Sequence, residues 1–423
     1  MLGLSLVLSF EKGLLRMDAA RRARAFGIRV ALFYGALFVV YGMHVPYTPV
    51  WLDGRGLSAA EISTVMAAPF FLRLLITPGI AMVADRTGRH RMALIMLAWA
   101  SLAVVLGLSQ AHSFWPILLL TVPLIVAFTT IMPLTETVAV SGVRHAGLDY
   151  GRMRLWGSLT FLAASFAGGF AVAHWGSGVA IWLVALGCVL TVMAAHLLPR
   201  QALATDAPEP DRAPWWQAEE PRMLLRQPAF LAFLLASGGV QAAHATFLTF
   251  GTLIWQKQGL SGGWIGALWA IGVFAEVALF AVSARLVESF GAVALLTAGA
   301  AMSIVRWAAM AFNPSLAVLV PLQILHGVTY GASHIGAIHF IGKAVPQRAA
   351  GSAQALYATV AAGLAMGVAT LIAGWLYARI GGASYAAMSI IAALALAAAV
   401  QLGRLWPGSE LIDVRAVPGT AVS

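Results

Sequence analysis

The longest segments without a charged residue place the strongest constraint on this chain. Residues 30–52, 92–135 and 155–199 contain no Asp, Glu, Lys or Arg, and the last two runs are 44 and 45 residues long. A helix needs about 20 apolar residues to cross a hydrocarbon core of about 30 Å. Each of the two long runs therefore predicts two helices joined by a tight turn. The runs are continuously apolar rather than alternating, which favours helices over a barrel.

The composition excludes several classes of protein. Hydrophobic residues make up 61% and charged residues 10% of the chain, whereas a soluble protein carries about 25% charged residues. A soluble enzyme and a disordered protein are therefore excluded, and the single cysteine, Cys188, excludes a disulfide-stapled domain. The net charge of +10 is scattered between apolar runs, which argues against nucleic acid as a partner. We expect a monomer whose surroundings are the lipid bilayer.

The whole chain predicts an all-α membrane protein with twelve transmembrane helices in two six-helix bundles. The predicted helices span 28–52, 62–84, 92–110, 114–136, 153–174, 179–198, 229–255, 264–285, 292–311, 315–341, 351–377 and 383–404. A polar, proline-broken linker separates the bundles. The predicted domains are a tail at 1–27, a bundle at 28–198, the linker at 199–228, a bundle at 229–405 and a tail at 406–423.

The basic residues predict the orientation of the chain in the membrane. Of the 26 Lys and Arg residues, 20 fall in segments on the same side as the linker and three on the opposite side. Lys and Arg are enriched in cytoplasmic loops. We therefore expect both termini and the linker in the cytoplasm, with the protein in the inner membrane of a bacterium.

The two halves of the chain repeat a short motif. Gly-Leu-Ser followed by Ile occurs at 56–62 and again at 259–265, an offset of 203 residues. Arg73 and Glu276 are separated by the same number of residues. A parallel repeat of this kind is typical of transporters that bind their substrate between the two halves.

Ionisable residues lie inside the predicted helices, where each costs at least about 2.5–3.5 kcal/mol at the bilayer centre. They are Arg73, Glu136, Arg154, Glu276 and Arg306, together with His244, His326 and His334. Such residues mark functional sites by default, although ion pairs with a purely structural role are the alternative.

The predicted tenth helix carries a polar stripe. Gln323, His326, Tyr330 and His334 are spaced by three, four and four residues, which places all four on one face. A polar stripe on an otherwise apolar helix predicts an aqueous cavity. We expect no metal site here, because the two histidines are two turns apart and have no acid or cysteine near them.

A loop motif resembles a transporter signature. Asp85-Arg86-Thr87-Gly88-Arg89 is similar to the gating loop of the major facilitator superfamily, although Ala81 stands where that family usually has glycine. The resemblance implies two six-helix bundles around a central cavity that opens alternately to each side.

Further motifs resemble the proton-coupled sugar symporters of the lactose permease type. Glu136 and Arg154 match the substrate-binding acid and arginine of that group, and the resemblance assigns proton coupling to Glu276, Arg306 and His326. Two differences weaken a galactoside specificity. Phe161 replaces the tryptophan that stacks on the sugar, and Gln323 and Thr329 replace a lysine and a glutamate beside the helix-ten histidine.

The phenylpropionate permease group of the same superfamily is the more similar one. The stretches 149–158, 241–244, 305–307 and 323–326 carry this resemblance, which implies the import of an aromatic carboxylate with protons. A carboxylate needs a fixed cation, which Arg154 can supply with help from Arg73. Phe161 can provide an apolar wall for the ring. The other expected substrate contacts are His244, Tyr330 and His334.

The expected mechanism is symport driven by the proton gradient, with no cofactor and with Glu276 as proton carrier and His326 as relay. One alternative is a sugar or nucleoside symporter, because Glu136 can accept hydrogen bonds from hydroxyl groups. Another alternative is a drug/proton antiporter. Such antiporters usually carry a Gly-Pro element in the fifth helix, whereas Gly168-Gly169 has no proline beside it here. The sequence contains no nucleophile–base pair or phosphate loop, so we expect no catalytic residue and no enzyme.

Overall fold

The structure is a computed structural model that describes residues 2–199 and 219–412, with side chains from Arg21 onward except those of Asp85 and His145. The first six membrane helices are α1 (Leu2–Gly54), α2 (Ala59–Thr87), α3 (His90–Ser109), α4 (Phe114–Ala146), α5 (Tyr150–Trp175) and α6 (Val179–Leu197). A short helix, Glu220–Leu225, precedes the second half.

The second six helices contain more interruptions. They are α7 (Pro228–Ala242 and Ala245–Lys257), α8 (Gly262–Ala281), α9 (Ser283–Met310), α10 (Leu316–Ile324, the π-helical Gly327–Ala332 and Ser333–Ala344), α11 (Ala350–Tyr357, the π-helical Ala358–Ala365 and Met366–Ile380) and α12 (Tyr385–Leu405). π-Helical turns are rare and occur mostly at functional sites.

The helices confirm the prediction of an all-α membrane protein. Eleven helical segments of the described chain are long and apolar enough to cross a membrane. The last of them, Gln347–Leu405, is 59 residues long, and its backbone turns at Gly381, where φ is 55°. Because about 20 residues suffice for one crossing, this segment makes two, and the described chain crosses twelve times.

Two helix boundaries are informative. The backbone of α1 is helical from Leu2, so the segment predicted as a tail at 1–27 continues the first membrane helix. No proline interrupts it before Pro46, and its Ala, Arg and Leu residues favour helix. In α9 the helix breaks at Gly291, where φ is 77°, so a second helical part begins at residue 292, where the sequence predicts the start of the ninth membrane helix. Residues 200–218 of the predicted linker lie outside the described residues.

The repeated Gly-Leu-Ser motif builds the same turn twice. Gly56 and Gly259 both have a φ of 81°, which favours glycine. The amide that follows each glycine donates to a carbonyl five residues back, over 3.2 Å in the first half and 3.1 Å in the second. Ser58 and Ser261 then cap the next helix with their side chains. The two turns therefore have the same hydrogen bonds and support a parallel repeat of the two bundles.

The two bundles touch mainly along two helix pairs, α5 with α8 and α2 with α11, and α1 also contacts the second part of α7. A Cβ on Gly266 would lie 2.7 Å from the Ser165 carbonyl oxygen, and one on Gly169 would clash with the backbone of Gly262. On the other pair, a Cβ on Gly374 would lie 2.9 Å from a carbonyl oxygen of α2. These contacts lie at the end of the bundles that is farther from the linker. We name it the closed end, and we name the other end of the bundles the linker end.

We expect Gly169→Ala to separate the bundles at the closed end. The added Cβ would meet the backbone of Gly262, and no side-chain rotation relieves such a clash. A cysteine placed at Ile265, which is 2% exposed, reports the separation in a Cys188→Ser background. The measurement is its rate of reaction with a membrane-impermeant maleimide.

Gly178→Ala is the matched control, because no atom lies within 4 Å of a Cβ at that glycine and its φ of −60° suits alanine. We expect labelling several-fold faster in Gly169→Ala and unchanged in the control. Equal protection of the cysteine in both variants would show that the glycine contact does not close this end.

Candidate functional site

A carboxylate and a guanidinium meet in the first bundle. Glu136 on α4 accepts a hydrogen bond of 2.5 Å from the Tyr150 hydroxyl, and its other oxygen lies 3.9 Å from Nε of Arg154 on α5. Asp149 caps α5 by accepting a hydrogen bond from a backbone amide, which fixes the start of the helix that carries Tyr150 and Arg154. Both charged side chains are partly exposed, Glu136 by 29% and Arg154 by 28%.

Aromatic rings of α1 surround the Arg154 guanidinium. Its central carbon lies 4.1 Å from the ring centre of Phe38 and 5.6 Å from that of Tyr34, within the range of cation–π attraction. Tyr41 extends the same surface, 5.3 Å from Phe38. Within the described chain, Nη1 of Arg154 is buried and makes no hydrogen bond. This guanidinium therefore has one donor group without a partner, buried beside Gly157 and Phe38, while the side chain as a whole is partly exposed.

Sequence reasoning missed these aromatic residues. Tyr34, Phe38 and Tyr41 are spaced by four and three residues, which is one face of a helix. The spacing is a usable signal, but aromatic residues in an apolar helix pack against lipid or a core more often than they bind a substrate. Tyr150 lies in the stretch 149–158, which resembles the phenylpropionate permease group, but the sequence does not indicate a role for it. Its hydrogen bond to Glu136 shows that it orients the carboxylate.

The second bundle holds a buried arginine without an acidic partner. Arg306 on α9 is 0% exposed. Its guanidinium donates to Nδ1 of His326 over 2.9 Å, to the Thr329 hydroxyl over 3.0 Å and to Oε1 of Gln323 over 2.9 Å. In the part of the chain that the structure describes, no carboxylate lies within 4.0 Å of it. Neutral acceptors therefore replace the water that this cation loses on burial.

These bonds define the tautomer of His326. Arginine only donates hydrogen bonds, so Nδ1 of His326 must accept and carries no proton. In a neutral ring the proton is then on Nε2, which lies 3.8 Å from the Glu276 carboxylate. A doubly protonated ring would place an N–H group against Nη1 of Arg306. In this arrangement His326 is a neutral donor that points toward Glu276.

The predicted polar stripe of α10 lies on one side of the helix but does not line a cavity along its whole length. Gln323 is fully buried, because its amide oxygen solvates Arg306. The rings of His326, Tyr330 and His334 follow as a stack, with centroids 5.4 and 6.4 Å apart. His244 of α7 is buried and meets Tyr330 edge-on at 5.7 Å. The π-helical turn Gly327–Ala332 carries the middle of this stack.

Arg73 connects the two bundles. Its Nη2 donates to the backbone carbonyl of Ala362 in the π-helical turn of α11. The guanidinium also lies 4.8 Å from the ring centre of Phe70. It is close enough to interact electrostatically with Tyr41 of one bundle and Tyr330 of the other, which places it between them. Arg73 and Glu276, which are equivalent in the repeat, thus occupy the two opposite bundle interfaces.

The remaining predicted site residues lie elsewhere. Phe161 on α5 is buried, and its backbone contacts Gly42 of α1. In the loop motif, Arg86 lies in the last turn of α2, and Gly88 has a φ of 63° between α2 and α3. Arg89 precedes the first turn of α3 and donates its amide to the Ala84 carbonyl. The side chain of Asp85 lies outside the described residues.

The chain matches a known family and is similar to several known proteins. Residues 28–387 match a family model described as "MFS_1 like family". The chain is 31% identical over 365 residues to a "Probable 3-phenylpropionic acid transporter" of Escherichia coli (strain K12), which covers 86% of this chain and 94% of that protein. It is 30% identical over 368 residues to the "Maltose permease" of Geobacillus stearothermophilus, with 86% and 90% covered.

Solved structures share the fold at low identity. The nucleoside transporter NupG superposes with a TM-score of 0.76 at 14% identity, covering 90% of this chain and 98% of that one. A bacterial homolog of the human lysosomal transporter Spinster, in an inward-facing and unoccupied conformation, has a TM-score of 0.72 at 14% identity, with 90% and 97% covered.

We expect the His326 ring to be neutral at neutral pH, with its proton on Nε2, because Nδ1 accepts from Arg306. The measurement is ¹⁵N NMR of histidine-labelled protein, with the signals assigned by their loss in His326→Gln. The Arg306→Gln variant removes the guanidinium and should release the preference for this tautomer. A doubly protonated ring in the unaltered protein at neutral pH would contradict the assignment.

Proposed function

We propose a transport function from the premise that the chain belongs to the MFS_1 like family, whose model matches residues 28–387. The family resemblance expected from the sequence motifs is thereby confirmed. The chain is an integral membrane transporter of the major facilitator type. The proposed activity is symport, in which a small aromatic carboxylate is imported together with protons.

The Arg154 guanidinium is the observation that carries this proposal. Its side chain is 28% exposed, Glu136 lies only at 3.9 Å from Nε, and the buried Nη1 makes no hydrogen bond in the described chain. A bound carboxylate could accept a charge-assisted hydrogen bond from this partly exposed cation, and such bonds are about twice as strong as neutral ones. A neutral solute would gain less from the same group.

The aromatic surface beside Arg154 suits the ring of such a substrate. Phe38 and Tyr41 lie on α1 next to the guanidinium, and Tyr330 lies on α10 of the other bundle. Offset or edge-to-face contacts between rings contribute about 0.5–1.5 kcal/mol beyond the apolar area that they bury. The name of the relative in Escherichia coli, a probable 3-phenylpropionic acid transporter, agrees with an aromatic acid.

Glu276 is the proposed proton carrier. Its side chain is 19% exposed and lies 3.8 Å from Nε2 of His326, too far for a hydrogen bond in this arrangement but close enough for a small movement to form one. Because the Arg306 contact keeps the His326 ring neutral in this arrangement, we assign His326 to orienting Glu276 rather than to carrying the proton itself. Arg306 acts through His326 as a positioning residue.

A sugar symporter is the second candidate. The Glu136 carboxylate is 29% exposed and could accept hydrogen bonds from hydroxyl groups, and the relative from Geobacillus stearothermophilus is named a maltose permease. The Tyr150 hydroxyl already donates a hydrogen bond to one oxygen of Glu136. This favours an aromatic carboxylate over a sugar as the substrate. The drug antiporter alternative has no comparable observation in its favour.

The proposed setting is the inner membrane of a bacterium, with both termini and the linker in the cytoplasm. The closed end then faces outward, and the partly exposed Glu136 and Arg154 are reached from the cytoplasm. The proposed protein works as a monomer and uses the proton gradient rather than a cofactor.

We expect Arg154→Gln to lose uptake of labelled 3-phenylpropionate in proteoliposomes. The substitution removes the cation, so the carboxylate loses its main partner. Arg152→Gln is the matched control, because Arg152 is 88% exposed and pairs only with Asp149 among the ion pairs of the described residues. Unchanged uptake by Arg154→Gln would remove Arg154 from the substrate site. Competition by maltose or nucleosides, rather than by aromatic acids, would favour the second candidate.

We expect Glu276→Gln to abolish uphill uptake driven by an imposed pH gradient while downhill uptake persists. Glutamine keeps the size of the side chain but cannot exchange a proton. Glu288→Gln is the control, because Glu288 is exposed in the first part of α9. Uphill uptake that continues in Glu276→Gln would assign the proton to another group.

A further inference from the structure

Arg154 and Glu276 lie at the same depth in adjacent helices of different bundles. The antiparallel helices α5 and α8 touch where a Cβ on Gly266 would lie 2.8 Å from the Phe166 Cα. From this contact toward the linker end, Glu276 is ten residues along α8 and Arg154 is twelve residues along α5. At about 1.5 Å per residue the two lie about 15 and 18 Å from it. Arg154 is accordingly close enough to act electrostatically on Glu276.

One guanidinium therefore serves two carboxylates. Glu136, from the same bundle as Arg154, lies 3.9 Å from Nε, and Glu276 approaches from the other bundle. Neither takes up Nη1, which makes no hydrogen bond in the described chain. A substrate carboxylate at the exposed part of this side chain would be the third anion around a single cation.

The ionisable groups inside the described membrane helices at the two bundle interfaces balance. Two guanidinium groups, on Arg73 and Arg154, face two carboxylates, on Glu136 and Glu276. Arg306 is fully buried behind His326, where three neutral acceptors solvate it, and the cation that acts on Glu276 is Arg154, so Arg306 lies outside this group of four. The titratable groups that face Glu276 from α10 are His326 and Tyr330, and α8 has no other charged residue.

We infer that one monovalent anion and one proton load together, so that each transport cycle moves no net charge across the membrane. This inference rests on the proposed function and names its coupling. A bound carboxylate would leave one negative charge in excess in a site of low dielectric. A proton on Glu276 restores the balance, so anion and proton each strengthen the binding of the other. The loaded and the empty cavity then carry the same charge.

The test separates the pH gradient from the membrane potential. Proteoliposomes receive labelled 3-phenylpropionate, and initial rates are measured with either an inside-alkaline pH gradient or a potassium diffusion potential at equal pH. Protein-free liposomes correct for diffusion of the free acid. We expect the pH gradient to drive accumulation, so that the final ratio of internal to external substrate rises about tenfold per pH unit. We expect the membrane potential to change neither this ratio nor the initial rate. A tenfold change in accumulation for about 59 mV of potential would show that one net charge moves and would overturn the inference.

The Glu136→Gln variant tests the charge balance directly, because the substitution should make uptake depend on the membrane potential. Without this carboxylate the empty cavity carries one extra positive charge and the anion-loaded cavity none, so uptake of the anion moves net negative charge inward. We expect an inside-positive potential to accelerate uptake in this variant and to leave Glu288→Gln unaffected. The thermal unfolding midpoint of each variant shows that it is folded. Uptake by folded Glu136→Gln that ignores the potential would contradict the charge balance.

The outcomes distinguish this inference from the proposed function. If 3-phenylpropionate is not transported by the unaltered protein, the proposed substrate class is wrong. If it is transported and the potential drives it, the substrate class stands and the balance of charges fails. The neutral amide of 3-phenylpropionic acid adds a further arm. Its binding should not depend on pH, whereas binding of the ionised acid between pH 6 and 8 should tighten as the pH falls.

Discussion

A cation buried among apolar helices must be solvated by the protein, and Arg306 imposes this constraint on the second bundle. Three neutral acceptors surround it, two of them on the polar face of α10 and one on its π-helical turn. Because each must offer a lone pair, α10 has to turn these side chains toward α9. The tautomer of His326 follows from the same requirement, and with it the N–H group that faces Glu276 across 3.8 Å.

Arg154 is the contrasting case in the other bundle. It lies between aromatic rings, with Glu136 at 3.9 Å, Glu276 within electrostatic reach and a buried donor group that bonds to nothing in the described chain. The guanidinium of Arg306 uses both of its terminal nitrogens in hydrogen bonds to the protein. It can therefore orient the surrounding side chains but has few donors to offer a ligand. An unsaturated and partly exposed guanidinium costs stability and gains it back when an anion binds. The two arginines are both intramembrane charges, and only their partners separate a structural role from a binding one.

Most of the fold could be predicted from hydropathy, because apolar length and charge placement follow directly from the bilayer. The helix start at residue 292 could be predicted because Gly291 interrupts the pattern, and the repeated turns could be predicted from Gly-Leu-Ser. The partners of the buried ions could not. Arg73 bonds to the carbonyl of Ala362, and no pattern of side chains identifies a backbone group that a π-helical turn leaves accessible. The burial of Gln323 could not be predicted either, because it depends on a hydrogen bond from Arg306, a residue of another helix.

The repeat relates the two bundle interfaces in a way that bears on transport. In each half, the helix after the Gly-Leu-Ser turn touches the other bundle near the closed end and carries an ionisable residue farther toward the linker end, Arg73 in α2 and Glu276 in α8. The contacts at the closed end are backbone contacts at glycines, which fall off within an ångström or two of separation. The charges act over longer distances. Opening the closed end therefore breaks the short-range contacts first, while Arg73 and Glu276 still sense the opposite bundle, so the charge state of the cavity can bias which end is open.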